Sequence, residues 1–371
     1  MKIEGHCQRE FTPVEKAFAA LWDEIEVGAS LCIYHDGRPV VNLWGGYTNR
    51  AQTIQWQEDT LVNVYSTIKG IVALSLAQLV DGGRLEYELP VTTYWPAFGA
   101  EQKFDITVAQ LISHQAGLYR FDPPVSVEDL YNWQKITMQL ASQRPAWKPG
   151  NAFGYHPVTW GFLAGELIRQ VTGVSPGTFI SERLAGPLNA DVYIGLPPNL
   201  HHRCATLAGP NHARKALPAR KSAGSKTLVT DDPVITPFRH ACSSEFRQAE
   251  IPATNGHASA VGLARCYQAA LDGNLLSDAV IETATREVTC GEIDQVLGQP
   301  LRRSMGFILN CDDCYFGPAK NAFGHSGSGG SIAFADPENN VAFAYVMNQL
   351  HSIGPLRARQ LINSFYTCLM K

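Results

Sequence analysis

"VYSTIKGIVALSLAQLVDGG", residues 64–83, decides how the rest of the chain is read. It holds a serine and a lysine, Ser66 and Lys69, ahead of a long apolar run that ends at Gly82-Gly83. The run has helical length, and the glycine pair is a helix stop. Ser66 then falls at the front of the helix, where unpaired backbone N–H groups and the helix dipole favour a developing negative charge. Lys69 falls one turn on, on the same face. A lysine held there in a partly dry site loses its proton more easily and can accept one from Ser66. The same letters also fit an N-cap serine followed by an exposed lysine. S-x-x-K arises by chance about once or twice in a chain of this length, so its surroundings have to decide.

The bulk properties remove several classes of function. The chain has 371 residues, 45% hydrophobic and 17% charged, with a net charge of −4. That is a globular composition with length for a large core or two subdomains. It lacks the excess of Lys and Arg that neutralising phosphates needs, so no nucleic acid is expected as a partner. The start, "MKIEGHCQREFTP", has no apolar signal region. The longest nearly apolar run, "GIVALSLAQLV" at 70–80, is too short for a bilayer, so no membrane partner is expected. Nine cysteines without a signal region read as free thiols in a reducing, cytoplasmic compartment. Cys311 and Cys314 form a C-x-x-C without a second pair for a metal or the strand–helix context of a redox site. They read as a surface loop with two thiols. The oligomeric state stays open, a homo-oligomer included.

Along the chain, "TPVEKAFAALWDEI" reads as a helix, with Thr12 as cap, Pro13 in its first turn and Glu15 completing a capping box. "ASLCIYHDG" and "RPVVNLWGG" are two apolar runs turned at Asp36-Gly37, a hairpin signal. "ITVAQLISHQAG" and "TWGFLAGELIRQVTG" read as helices in a mainly helical middle, approximately 101–289. The segment from about 196 to 256 reads as a surface excursion, and its basic stretch "ARKALPARKSAGSK" (213–226) as a solvated loop. "SMGFILN" reads as a strand. "GSIAFAD" and "NVAFAYVMN" read as a hairpin turned at Pro337-Glu338-Asn339-Asn340, and 355–369 as an amphipathic helix. The expected fold is α/β (α+β). Residues of approximately 1–100 and 290–371 share one antiparallel sheet flanked by helices, within a single unit of 1–371. A cleft should form where the helical region meets the sheet.

A rival nucleophile sits at Ser175 in "GVSPG", which matches G-x-S-x-G. That pattern works only on a sharp strand-to-helix turn. Here a helix precedes it, with Phe162, Leu163, Leu167, Ile168 and Val171 at helical spacing and Gly173 as its stop. Ser175 followed by Pro176 reads instead as the cap and first residue of the next helix. His201 and His202 lack a supporting cluster of carboxylates or thiols, so no metal and no cofactor are expected. His114, at a helix end, reads as bonding loop backbone. Trp160 and other aromatics could line an acyl pocket, with core packing as the default for each.

Two more stretches bear on Ser66. "GYHPVTWG" holds Tyr155, and "FGHSGSGGS" holds His325, Ser326, Gly327 and Ser328 just before a strand. S-x-x-K, then a tyrosine motif, then an H/K-x-G triplet, in this order and at these separations, resembles the serine β-lactamase and penicillin-binding-protein superfamily. The likeness is greatest to class C β-lactamases and the family VIII carboxylesterases built on their fold, and it runs over nearly the whole chain. It implies a class C β-lactamase-like fold. It also implies that Ser66 is acylated, that Lys69 and Tyr155 carry its proton, and that Tyr155 activates the water that releases the acid. A nearby ammonium would lower the Tyr155 pKa enough for a base. The backbone N–H groups of Ser66 and Ser328 would form the oxyanion hole. His325, Ser326 and Gly327 would face substrate.

Two departures steer the expectation. The class C tyrosine motif is Y-x-N, and here Tyr155-His156-Pro157 lacks the amide. The third motif usually opens with lysine, and here His325 is mostly neutral near pH 7. Both weaken binding of anionic acylamino substrates. The expectation is a serine carboxylesterase acting on short-chain neutral esters, with a small-molecule ester as its partner. An acyltransferase passing the acyl group to an alcohol or amine is the alternative. A β-lactamase or D-peptidase and a non-catalytic binding protein rank below both.

Overall fold

The computed structural model describes residues 1–23, 26–209, 240–289, 292–312, 314–351 and 356–371. The basic stretch 213–226 lies outside them. Both ends of the chain build one eight-stranded sheet. Its strands are β1 (Ile3–Cys7), β2 (Gly28–His35), β3 (Arg38–Gly46), β7 (Arg302–Arg303), β8 (Ile308–Leu309), β9 (Phe323–Ser326), β10 (Ile332–Asp336) and β11 (Val341–Met347). Their order is β1-β3-β2-β11-β10-β9-β8-β7, and every neighbouring pair is antiparallel. Asp36 and Gly37 turn the β2–β3 hairpin with φ of 48° and 74°, the left-handed pair that a two-residue hairpin requires. "SMGFILN" yields a strand only at Ile308–Leu309.

Every residue of β10 and β11 is buried, which means both faces of the sheet are covered. Helix Ala260–Leu271 packs on β2, β10 and β11. Helix α1 (Thr12–Ala20) pairs with Leu356–Leu369, where Phe11 stacks on Phe365 at 5.0 Å. The chain enters α1 through the 3-10 turn Arg9–Phe11, which puts Thr12 already inside the helix. The expected capping box does not form: the Thr12 hydroxyl donates back to Arg9 O at 2.7 Å.

Helix α2 (Ile68–Asp81) is buried on nearly all sides, as an all-round apolar helix must be. Each fully buried Ile or Leu on it contributes about 1.5–3 kcal/mol over leaving it exposed. α5 (Thr159–Thr172) and α6 (Pro176–Ile180) pack against it, and α3 (Val108–Ile112) and α4 (Trp133–Ser142) pack on α5. A second sheet was not legible in the sequence. Its strands β4 (Val62–Asn63), β5 (Val192–Tyr193) and β6 (His257–Ala258) have two residues each, too short for any period. It runs in the order β4-β6-β5. It also overturns part of the surface reading of 196–256, because Ile251, Ala253 and Asn255 are fully buried. Among the described residues no helix is long and apolar enough to cross a membrane.

Candidate active site

β4 and a sharp turn aim Ser66 into the interior. Tyr65 holds φ 46°, a left-handed backbone that costs a non-glycine residue about 1–2 kcal/mol. The Asn63 side chain secures it by accepting from Tyr65 N at 3.0 Å. The 3-10 turn Tyr65–Thr67 then runs straight into α2, so Ser66 stands at the N-terminal mouth of a buried helix.

Three side chains converge there. Lys69 Nζ lies 3.1 Å from Ser66 Oγ, and the Tyr155 hydroxyl donates to the same oxygen at 2.7 Å. Lys69 is wholly buried and, among the described residues, faces no carboxylate. Its other two donor directions go to Pro157 O and Ala253 O, both at 2.9 Å. Two carbonyls thus fix two amine N–H groups. In a neutral amine, the remaining lone pair points at the Ser66 hydroxyl. Burial, followed by the charge of Arg303, holds the Lys69 pKa well below the usual lysine range. Tyr155 goes the other way. Burial pushes it up to about 12, outweighing its bond to Ser66 and the nearby Arg303, so it stays a neutral phenol. A tyrosine made basic by a neighbouring ammonium does not fit this balance. Lys69, not Tyr155, is the group whose shift favours loss of its proton.

The missing amide of the tyrosine motif has a substitute, since Pro157 supplies its own carbonyl to Lys69. His156 uses both ring nitrogens on backbone, with its Nε2 accepting from Leu118 N and its Nδ1 beside Gly154 O. His114 accepts from His156 N, and its ring lies 5.2 Å from that of Tyr155.

The third motif lies on β9 and the turn after it. His325 is buried with its ring 6.2 Å from Tyr155, and its Nδ1 is 2.7 Å from Ser326 O. Burial keeps its pKa well below the usual histidine value, so it is neutral near pH 7. Ser326 and Gly327 are half-buried and Ser328 is exposed at the rim. A Cβ on Gly327 would overlap Val64 O, Ser331 Oγ and Thr67 Oγ1. Only a glycine lets this turn lie against the Ser66 turn. Ser331 and Thr67 tie the two together: their hydroxyls are 2.9 Å apart, and Ser331 donates to Val64 O at 2.8 Å. Neither residue carries a spacing signal in the sequence.

Other expected positions fall elsewhere. Ser175 caps α6, accepting from Thr178 N at 3.2 Å, and donates to Glu250 at 2.6 Å. His201 and His202 sit on a 3-10 turn beside the carbonyls of Leu196 and Asn199. Trp160 is core, with its indole N–H on Ile112 O. Cys311 and Cys314 pair through their backbones, each N–H donating to the other's carbonyl at 3.2 and 3.0 Å, but Cys314 is buried 3.5 Å from Ser326 Oγ rather than on a surface loop.

A serine that follows a strained tyrosine at a helix mouth, a buried lysine, a neutral tyrosine and a glycine-tight strand edge therefore meet in one place. The family model described as Beta-lactamase matches residues 14–363, and the chain belongs to that family as a serine hydrolase. It is 34% identical over 367 residues to the Esterase/beta-lactamase LipL of Mycobacterium tuberculosis, covering 95% of this chain and 84% of that one. A family VIII carboxylesterase crystal structure superposes with a TM-score of 0.88 at 38% identity, covering 99% of this chain and all of that one (100%). A penicillin-binding protein homolog from Caulobacter crescentus superposes equally well, with a TM-score of 0.88 at 37% identity over 99% of this chain and 100% of that chain.

Proposed function

We propose that this protein hydrolyses small, neutral, short-chain carboxylic esters through an acyl-enzyme on Ser66. The observation that carries the reading is the Lys69 amine. It is buried, held by two carbonyls and directed at Ser66 Oγ from 3.1 Å. The reaction follows from that geometry. Ser66 Oγ attacks the ester carbonyl while its proton passes to Lys69. The developing oxyanion is received by the backbone N–H groups of Ser66 and Ser328. Tyr155, a neutral phenol beside Ser66 Oγ, gives its proton to the departing alkoxide and regains one from Lys69. Water then attacks the acyl group, its proton passing to Tyr155 as the Tyr155 proton moves to Lys69, and Lys69 returns a proton to the Ser66 oxygen as the acyl C–O bond breaks and the acid leaves.

A neutral ester fits because His325, where a cationic lysine would attract a carboxylate, is buried and uncharged. The names of LipL and of the family VIII carboxylesterase support ester hydrolysis. Ser66→Ala should abolish hydrolysis of a short-chain aryl ester. Intact mass after a fluorophosphonate should show one adduct on Ser66 in the wild type. Full activity in the variant, or label on another residue, would overturn the proposal. Product analysis with a competing alcohol separates hydrolysis from acyl transfer.

A further inference from the structure

Behind Tyr155 lies a buried guanidinium. β7 is an edge strand whose alternation turns Arg302 outward, onto Glu287 at 2.8 Å, and Arg303 inward. Arg303 is 1% exposed and paired with the fully buried Asp294 at 3.2 Å. Its guanidinium carbon is 5.1 Å from the centre of the Tyr155 ring, and Lys69 Nζ is 4.9 Å from that same centre. The amine and the guanidinium are therefore no more than about 10 Å apart, with an aromatic ring touching both. Asp294 also fixes the backbone of this tyrosine, accepting from Tyr155 N with both oxygens at 2.9 and 3.0 Å. It takes Val296 N and Leu297 N as well.

From this arrangement we infer that Arg303 is a positioning residue of the reaction: clamped by Asp294 against Tyr155, its fixed charge adds to burial in keeping Lys69 in the neutral form that accepts the Ser66 proton. The inference rests on the acyl-enzyme reading above. Two unit charges about 10 Å apart in a protein interior shift one another by about one pH unit. Arg303 cannot discharge itself, so the burden falls on Lys69. The other titratable groups facing this pair are His114, His156, His325, Asp294 and Cys314. Burial holds the three histidines neutral near pH 7, with His156 lowered to about 4. Arg303 is then the one fixed positive charge among them.

The test is the pH dependence of Ser66 phosphonylation by a fluorophosphonate. The step forms the Ser66 O–P bond, expels fluoride and passes the hydroxyl proton to Lys69. It needs Lys69 neutral but no ester turnover. Arg303→Gln should move the acid limb of this rate to higher pH by about one unit, a roughly tenfold loss on the limb. Arg303→Lys should leave the limb near its wild-type position. Asp294→Asn, which removes the counter-charge, should move it to lower pH. Opposite displacements from two neighbouring substitutions are not what loosened packing produces. An Arg303→Gln limb that coincides with wild type would overturn the inference. Should that variant not fold, an Asp294→Asn limb unmoved or moved upward does the same. A wild type that labels at Ser66 yet turns over no ester sinks the esterase reading and leaves this test standing.

Discussion

Tyr155 shows why residue types alone do not settle roles in this site. Its hydroxyl meets Ser66 at 2.7 Å, while its ring lies against the Lys69 amine and the Arg303 guanidinium. Burial opposes a phenolate and outweighs the bond to Ser66 and the charge of Arg303 that favour it, with the pKa pushed up to about 12. A phenol of that kind serves as a proton donor rather than a resting base. Tyr155→Phe should therefore cut kcat for alkyl esters by about 10²–10⁴-fold with little change in KM. Aryl esters, whose leaving group departs as an anion without help, should lose much less. Equal losses on both ester types would refute the donor role. The sequence made Ser66, Lys69 and Tyr155 legible because each uses a distinctive side chain. The carbonyls of Pro157 and Ala253 that aim Lys69 were not legible, because every residue carries a carbonyl. Arg303 was hidden for another reason: its neighbour Arg302 has the same letter and faces out.

At the scale of elements, the site depends on how closely α5 approaches the segment bearing Ala253. A Cβ on Gly161 would overlap the Ala253 backbone nitrogen and crowd the Pro252 carbonyl carbon. Ala253 O is one of the two carbonyls on Lys69, so displacement there turns the amine away from Ser66. Gly161→Ala should cost about 1–3 kcal/mol through overpacking and lower kcat together with stability. Gly173→Ala, at the left-handed end of the same helix with φ 83°, should also destabilise but spare kcat. Urea midpoints paired with kcat for both variants decide it, and a Gly161→Ala enzyme with wild-type kcat would remove the link. The helices α2 and α5 and the β10–β11 hairpin were legible because long apolar periods and glycine stops agree there. The capping box at Thr12 failed because a preceding 3-10 turn draws the residue inside the helix. The buried stretch around Ala253 was missed because its polar and small residues look like loop, yet they pack under α5 and close β6 onto β4.

Across the whole molecule, the sheet joins residues some 300 positions apart, with Ala29 opposite Met347 and His35 opposite Val341. Lys69 then ties α2 to Pro157 and Ala253 in the helical region, and Ser331 ties the sheet's β9–β10 turn to the start of α2. If the helical middle came away alone, α2 would expose a nearly complete coat of apolar side chains. It would also leave a buried lysine and two carbonyls without partners, a desolvation cost of about 1–3 kcal/mol for each neutral group. The sheet and the helical region should therefore unfold as one cooperative unit. Far-ultraviolet dichroism, near-ultraviolet dichroism and Ser66 labelling should lose their signals at a single shared urea midpoint. Labelling that vanishes at lower urea while the dichroism persists would mean that the two regions part at the active site. Refolding should be slow, because β2 cannot pair with β11 until about 300 residues have been brought together, and closing long loops precedes the contacts that reward it.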